Sequence, residues 1–279
     1  MPRPRKRFAQ HWLRSDKILD RIVAAAQLSD GDRVLEIGPG TGVLTRKLLP
    51  GLSSLVSVEL DRDLCQKLVK KLGETENFLL LEGDFLALNL PEILASAPEM
   101  FREQNKVVAN IPYNITGPIL EKLLGTIAAP NPTPYESIVL LLQKEVADRL
   151  CAKPGSRTFG ALSVRVQYLA SCELICSVPA KAFYPPPKVE SAVVRLYPRS
   201  IDIPAESPKL LERLVREGFS SKRKMLRNNL KGSFDRDRIA DILEELDMNP
   251  QARAEDLGVT EWVKLSNAIG NTIDRFKIC

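Results

Sequence analysis

The feature that most constrains the fold is a glycine-rich turn, Gly38-Pro-Gly-Thr-Gly42, which joins a short apolar run to a stretch of helical periodicity. The run at 33–37 has the length and composition of a buried strand, and residues 42–49 have the apolar spacing of a helix. Glycines allow a tight turn and let a ligand approach the backbone without meeting a Cβ atom. The turn therefore predicts a strand–helix unit with a ligand site at its bend.

Strands and helices continue to alternate through the first two thirds of the chain. The patterns predict strands at 33–37, 55–59, 78–81, 106–110 and 137–142, with helices at 15–28, 42–49, 62–72 and 118–124. Such alternation is typical of a parallel sheet with helices on both faces. Further on, a helix at 164–170 precedes two strands, 173–178 and 191–197, which we expect to form an antiparallel hairpin at the sheet edge around a loop at 182–188.

A proline-punctuated polar stretch at 200–208 separates this region from one that is helical throughout. The predicted helices there span 208–219, 222–230, 236–246 and 260–270. The expected fold class is α/β: a Rossmann-like domain over residues 1–200, followed by a small all-helical domain over residues 201–279.

Composition excludes several classes of protein. No apolar run approaches the roughly 20 residues needed to cross a bilayer, and the basic residues 1–7 precede no apolar segment of the secretory type. The five cysteines form no disulfide framework, and one histidine is too few for the usual zinc sites. We expect a cytoplasmic protein, acting as a monomer, with no membrane and no metal.

Two acidic residues follow the next two strands and suggest what the glycine turn binds. Glu59 ends the second strand, where it can accept bonds from ribose hydroxyls, and Asp84 follows the third, where it can accept from an adenine amine. NAD or FAD would use Glu59 equally well, and Asp84 could simply cap a helix. The spacing of Gly38, Gly40 and Gly42 differs from the G-x-G-x-x-G of dinucleotide sites, which favours S-adenosylmethionine as the cofactor.

Asn110-Ile-Pro-Tyr113 follows the fourth strand and carries the chemistry. The Asn110 amide oxygen and a neighbouring main-chain carbonyl could bond the hydrogens of an exocyclic base amine and stabilise the positive charge that grows as a methyl group arrives. Pro112 fixes φ and offers no competing N–H group, and Tyr113 could stack on the base. An ordinary turn with a packed tyrosine is the alternative interpretation.

Phe183 is the candidate for the opposite face of that base. It opens Phe183-Tyr-Pro-Pro-Pro-Lys188, a segment that three prolines make stiff. A base must leave its stack before it can be methylated, so a second aromatic ring is expected in the site. A core phenylalanine beside a rigid loop is the alternative.

Positive charge is concentrated near the C-terminus. Residues 209–238 carry ten basic and four acidic side chains. Their net charge, 10 − 4 = +6, exceeds the net charge of +5 of the whole chain. A charge run is often only a solvated face, but beside an amine-handling motif it favours nucleic-acid binding. The predicted RNA-binding residues are Arg223, Lys224 and Arg227.

These motifs resemble those of the ribosomal RNA adenine dimethyltransferases, in particular the enzymes of the small subunit. The resemblance covers nearly the whole chain and is carried by residues 6–13, 35–45, 58–61, 82–85, 110–118, 142–146, 183–191 and 219–230. It implies an S-adenosylmethionine-dependent class I methyltransferase whose product is N6,N6-dimethyladenosine at two adjacent positions near the 3′ end of 16S rRNA. The implied partner is 16S rRNA within an immature small subunit.

The resemblance also implies roles for individual residues. His11 and Leu13 would line the methionine side of the cofactor, and Tyr113 and Phe183 would enclose the target adenine. The rest of the cofactor pocket would be completed by Gly38, Glu59, Asp84 and Asn110. Three positions depart from the family pattern, with Ala9, His11 and Trp12 where Gly, Asn and Phe are usual.

Two alternatives stay open within this reading. An antibiotic-resistance relative methylates an adenosine of the large subunit, although residues 219–230 resemble the small-subunit group. The second alternative is a noncatalytic RNA-binding or transcription factor with the same fold. The site residues at 38, 59, 84, 110, 113 and 183 are all present, which argues against a loss of catalysis.

Overall fold

The computed structural model describes residues 10–200 and 203–276. Its strands, in chain order, are β1 (Trp12–Leu13), β2 (Arg33–Ile37), β3 (Ser54–Glu59), β4 (Phe78–Glu82), β5 (Lys106–Asn110), β6 (Ser137–Gln143), β7 (Ala170–Val178), β8 (Phe183–Tyr184) and β9 (Ser191–Pro198). The α-helices are α1 (Asp16–Ala26), α2 (Val43–Leu48), α3 (Arg62–Leu72), α4 (Leu90–Ala95), α5 (Thr116–Leu124), α6 (Lys144–Leu150), α7 (Ala161–Leu169), α8 (Pro208–Gly218), α9 (Leu226–Leu230), α10 (Arg236–Glu245) and α11 (Val259–Phe276).

Seven strands form the main sheet in the order β4-β3-β2-β5-β6-β9-β7. The strands from β4 to β6 are parallel, whereas β9 runs antiparallel to β6. The predicted parallel sheet is confirmed, and so is the placement of the last two strands at its edge, with β7 outermost. Strands β3 and β6 are almost wholly buried, as expected for parallel strands covered on both faces.

Strand order reverses between β2 and β5, which are neighbours although two strands separate them in the chain. The loops after β2 and β5 therefore leave the sheet in diverging directions and open a crevice at its carboxyl edge. The glycine turn follows β2, and Asn110 ends β5. The topology thus brings together the two motifs that the sequence singled out.

Contacts group the chain into two compact units. The first comprises the described residues through 123 together with 133–147 and 172–198, and the second comprises 124–132, 148–171 and the described residues from 199 onward. The chain passes for the last time from the first unit to the second between residues 198 and 199, and the sequence-based boundary was placed at residue 200. The second unit also includes two earlier segments, so a single boundary does not describe the division.

Each unit has its own apolar core. In the first, side chains of α1 such as Ile18, Leu19 and Ile22 pack with residues of β2, β3 and β6. In the second, Trp262 of α11 is fully buried and its ring lies 5.7 Å from that of Phe219. Residues 124–132 and 148–171 contribute Ile127 and Phe159 to this second core.

The helix predicted at 222–230 is wrong in its first half. Residues 221–224 form a turn in which the Lys224 N–H donates to the Ser221 carbonyl, and α9 begins only at Leu226. Asn229 fixes the turn, because its Nδ2 donates to the carbonyls of Gly218 (2.5 Å) and Ser221 (3.0 Å). These side-chain bonds occupy carbonyls that a continuous helix would use.

A two-residue ribbon, absent from the sequence predictions, joins the N-terminal segment to the proline-rich loop. β1 pairs antiparallel with β8, so that Trp12 lies opposite Tyr184 and Leu13 lies opposite Phe183. The Arg14 N–H extends the ribbon by donating to the Ala182 carbonyl at 2.8 Å.

Candidate active site

A cavity of about 210 Å³ opens at the carboxyl edge of the sheet in the first unit. Its walls come from the glycine turn, the ends of β3, β4 and β5, and the N-terminal segment. Of the predicted site residues it brings together His11, Gly38, Gly40, Glu59, Asp84, Asn110, Pro112 and Tyr113.

The glycine turn has a backbone that only glycine adopts readily. Gly38, Gly40 and Gly42 have φ values of +69°, +59° and +75°. A Cβ atom on Gly42 would lie 2.7 Å from Leu68 Cδ2, and one on Gly40 would lie 3.5 Å from the Trp12 ring. The turn is therefore tightly specified, and its backbone stays accessible to a ligand.

Glu59 lines the cavity, and backbone N–H groups hold both of its carboxylate oxygens. Its Oε2 accepts from the Gly40 N–H at 3.0 Å and its Oε1 from the Asp61 N–H at 2.8 Å. Each oxygen can accept a further bond, so the pair suits two adjacent hydroxyl groups. Burial raises the pKa of Glu59 above its ordinary value.

Asp84 lies on an exposed loop that a lysine holds in place. Its Oδ1 accepts from the Leu86 N–H at 2.9 Å within a turn, and it does not cap a helix, because the next helix, α4, begins only at Leu90. Lys122 of α5 donates to the carbonyls of Phe85 (2.5 Å), Leu86 (3.2 Å) and Leu88 (2.6 Å). Sequence reasoning missed Lys122, since a lysine on a helix resembles any surface lysine.

Asn110, Pro112 and Tyr113 contribute to the cavity wall at the end of β5 and in the segment after it. The Asn110 Nδ2 donates to the His11 carbonyl at 3.5 Å, which turns the amide oxygen the other way. The Pro112 carbonyl accepts from the Ile115 N–H at 3.3 Å and starts a 3-10 turn, Tyr113–Ile115. The Tyr113 hydroxyl bonds to Ser191 Oγ at 2.5 Å, and burial raises its pKa.

His11 stands beside Tyr113. Their rings are nearly parallel, with centroids 6.0 Å apart and planes inclined by 16°. The His11 Nδ1 lies 2.7 Å from the Pro185 carbonyl, and because a carbonyl only accepts, that nitrogen carries the proton. This stack was not predicted from the sequence.

Leu13 and Phe183 lie apart from the large cavity. They are 3% and 4% exposed and pack in the core beneath the β1–β8 ribbon, because side chains alternate along a strand and theirs face inward. Leu13 borders a smaller adjoining cavity of about 30 Å³. The place predicted for Phe183 beside a bound base stays a prediction, since it requires the ring to leave this packing.

Glu36 is a buried carboxyl that the sequence analysis left unassigned. Its Oε2 accepts from Thr45 Oγ1 and Ser57 Oγ, both at 2.8 Å, while its Oε1 has no partner among the described residues. Burial, with a smaller contribution from Glu59, raises its pKa to about 7. It also borders the smaller cavity.

The predicted RNA-binding residues lie in the second unit. Arg223 and Lys224 are exposed in the turn before α9, and Lys222 beside them is exposed too. Arg227, on α9, is half-buried, and its Nε is buried without a partner in the part of the chain that the structure describes.

Within residues 10–200 and 203–276, no three His, Cys, Asp or Glu side chains cluster so as to hold a metal ion. Across the same residues, no helix combines the length and apolarity that a bilayer crossing requires.

The doubly wound sheet, its glycine turn and the two strand-end acids define a class I, Rossmann-like methyltransferase, a class that uses S-adenosylmethionine. The family model for "Ribosomal RNA adenine dimethylase" matches residues 1–271. The chain belongs to the ribosomal RNA adenine dimethylase family.

Relatives and solved structures agree with this membership. Proteins named "Ribosomal RNA small subunit methyltransferase A" are similar to this chain: that of Nostoc sp. is 68% identical, covering 97% of this chain and 99% of the relative, and that of Synechococcus elongatus is 57% identical, covering 97% and 96%. A dimethyladenosine transferase from Plasmodium falciparum superposes with a TM-score of 0.75 at 29% identity, over 94% of this chain and 98% of the other. The 23S rRNA methyltransferase ErmE gives 0.71 at 27%, over 93% and 99%.

Proposed function

We propose that this chain transfers methyl groups from S-adenosylmethionine to N6 of two adjacent adenosines near the 3′ end of 16S rRNA, within an immature small subunit. The observation that carries the proposal is the single cavity that joins Glu59 and Asp84 to Asn110-Ile-Pro-Tyr113. The names of the relatives that are 57–68% identical support the small subunit as the substrate. Acting there, the enzyme would work in the cytoplasm and promote subunit biogenesis.

The residues present fit S-adenosylmethionine. Glu59 would accept from the ribose hydroxyls through its two oriented oxygens, and Asp84 from the adenine amine. Gly38 and Gly40 would leave room for the cofactor against the backbone, and His11, which lines the same cavity, would contact its methionine side. Leu13 would contribute there from the smaller cavity. The cofactor supplies an electrophilic methyl group on a sulfonium.

Asn110 would activate the acceptor amine. The N6 lone pair of adenine is delocalised into its ring, and the Asn110 amide oxygen, together with a nearby main-chain carbonyl, would bond the two amine hydrogens. As the methyl group arrives, positive charge grows on the nitrogen and these bonds tighten, so they stabilise the transition state more than the ground state. The new N–C bond would form as the methyl–sulfur bond breaks, so that the sulfur leaves as a neutral thioether and the amine loses one proton to solvent. Alignment of nitrogen, methyl carbon and sulfur would supply much of the remaining acceleration.

Tyr113 would stack on the flipped adenine, and its bond to Ser191 would keep the ring in place. Pro112 keeps the backbone extended before the 3-10 turn, with φ −61° and ψ 133°. Phe183 would have to turn out of the core to reach the second face of the base.

The second unit would bind the RNA around the target through Arg223, Lys224 and Arg227. We propose that residues 201–279 supply this binding and that one copy of the chain suffices for it. Phosphate contacts of this kind position a substrate without reading its sequence.

Methyl transfer from labelled cofactor tests the proposal. Purified small subunits that lack the modification should gain up to four methyl groups each, as N6,N6-dimethyladenosine, while large subunits gain none. Label in large subunits alone would indicate the 23S activity, and no label in either would indicate a noncatalytic RNA-binding protein.

An Asn110→Ala variant tests the proposed role of Asn110 in the transition state. We expect kcat to fall roughly 100- to 1,000-fold, as for loss of one transition-state hydrogen bond, with the Kd for small subunits changed little. Filter binding and single-turnover methylation measure the two quantities. An equal loss in both would contradict the assigned role.

A further inference from the structure

The β1–β8 ribbon carries an exposed aromatic residue, Tyr184, beside a strand that contributes to the wall of the large cavity. Tyr184 is 44% exposed, whereas its neighbour Phe183 is buried. Tyr184 lies directly opposite Trp12, which lines the cavity. Directly paired residues of antiparallel strands project their side chains from the same face, with Cβ atoms about 5 Å apart. The Tyr184 ring is therefore a near neighbour of the cavity wall.

The backbone beneath this ring is held at several points. Leu13 anchors the opposite face of the ribbon in the core. The Arg14 N–H donates to the Ala182 carbonyl, and the Pro185 carbonyl accepts from His11. Such anchoring keeps the ring in a fixed position, so a ligand stacking on it would lose less entropy on binding.

Arg14 covers one face of the ring. Its guanidinium carbon lies 4.0 Å from the Tyr184 ring centroid, and its side chain is exposed. Tyr184 is nevertheless 44% exposed, so the arginine leaves much of the residue open to a ligand. An aromatic face backed by an arginine is a typical stacking surface for unpaired bases of RNA, with the guanidinium close enough to contact phosphate.

Charge around the ring favours nucleic acid over a protein partner. Residues 10–14 and 181–190 carry three exposed basic side chains, Arg14, Lys181 and Lys188, against one acid, Glu190. An acidic polymer is thus the complementary ligand.

We propose that Tyr184, backed by Arg14, stacks an unpaired nucleotide next to the adenosine that occupies the cavity. The inference rests on the proposed RNA substrate and adds a second stacking site outside the reacting base. Because the two target adenosines are adjacent, the ring would hold the neighbour of whichever one is being methylated.

Steady-state kinetics with unmodified small subunits test the proposed stacking of a nucleotide on Tyr184. Tyr184→Leu should raise KM for subunits roughly 5- to 100-fold, as expected for loss of one base–aromatic stack, with kcat nearly unchanged. Tyr184→Phe keeps the ring and should behave as wild type. Leu174→Ala is a matched control, because Leu174 is also 44% exposed in the same unit. Cofactor Kd and Tm should be the same in all three variants.

Cross-linking locates the contact. A photoreactive phenylalanine analogue at position 184 should cross-link to a nucleotide within a few positions of the target adenosines, mapped by primer extension. An unchanged KM for Tyr184→Leu would contradict the proposed stacking on Tyr184. Cross-links only to distant RNA or to ribosomal protein would contradict it too. Wild-type methylation in the same assay would still uphold the proposed function.

Discussion

Glu36 shows how burial of a single residue sets a pH dependence. Its carboxyl has a pKa of about 7 in the fold against 4.5 ordinarily. Between these values the unfolded chain has released the proton while the folded chain retains it, so raising the pH favours unfolding. This contribution to the free energy of unfolding is complete below the pKa of the unfolded chain and is lost as pH rises through the pKa of the folded chain. The total loss is about 3 kcal/mol.

We therefore predict that Glu36→Gln flattens the pH dependence of stability. Glutamine has the same shape and can still accept from Thr45 and Ser57, but it does not ionise. Thermal unfolding at about pH 5 and about pH 8 measures the effect: Tm of the wild type should fall more across this range than Tm of the variant. Parallel profiles would show that Glu36 does not titrate there.

Residue placement shows where sequence reasoning was sufficient. Glu59 and Asn110 end strands of the predicted parallel sheet and Asp84 follows another. Because the carboxyl ends of parallel strands share one edge, their meeting there was predictable. Phe183 differs, because its orientation depends on the pairing of two-residue strands, which carry no periodicity. The stack of His11 on Tyr113 likewise joins residues about a hundred positions apart that no local pattern connects.

At the level of elements, Lys122 ties α5 to the loop that carries Asp84. We predict that Lys122→Met weakens cofactor binding roughly 5- to 100-fold, because the carbonyls of Phe85, Leu86 and Leu88 lose their donor, at a cost of about 1–3 kcal/mol. Isothermal titration with S-adenosylmethionine measures this. Lys70→Met, on an exposed helical position of the same unit, is the control. Unchanged affinity would show that the loop keeps its shape without the lysine.

The turn between α8 and α9 carries the next prediction. Replacing exposed Arg223 and Lys224 with glutamine should weaken binding to small subunits and reduce the slope of log affinity against log salt by about 1 to 2. Arg227 is better varied separately, because its buried Nε makes a structural loss possible. Arg213→Gln removes a cation already paired with Glu217 at 2.8 Å and should alter the slope less. An unchanged slope in the double variant would make the turn a solvated face.

The bounds of the parallel strands β2 to β6 were predicted to within one residue, because buried parallel strands have strong apolar runs, whereas β7 begins at Ala170 and not at the predicted residue 173. β2, β5 and α3 have the bounds that the sequence predicted. The start of α9 was missed because Asn229 makes bonds to the preceding turn that helical periodicity does not reveal.

On the scale of the whole molecule, the two units divide the proposed work. The first holds the cavity whose residues we propose to bind the cofactor and the amine, and the second holds the basic turn. The allocation of residues 124–132 and 148–171 to the second unit followed from long-range packing and not from any composition boundary.

Mass spectrometry of the 3′ end of 16S rRNA, from cells that lack this chain, tests the central claim most directly. The account predicts unmodified adenosines at both adjacent positions, restoration of N6,N6-dimethyladenosine at both by the wild-type gene, and little or no restoration by Asn110→Ala at equal protein level. Normal dimethylation in the deleted cells, or full restoration by the variant, would contradict it.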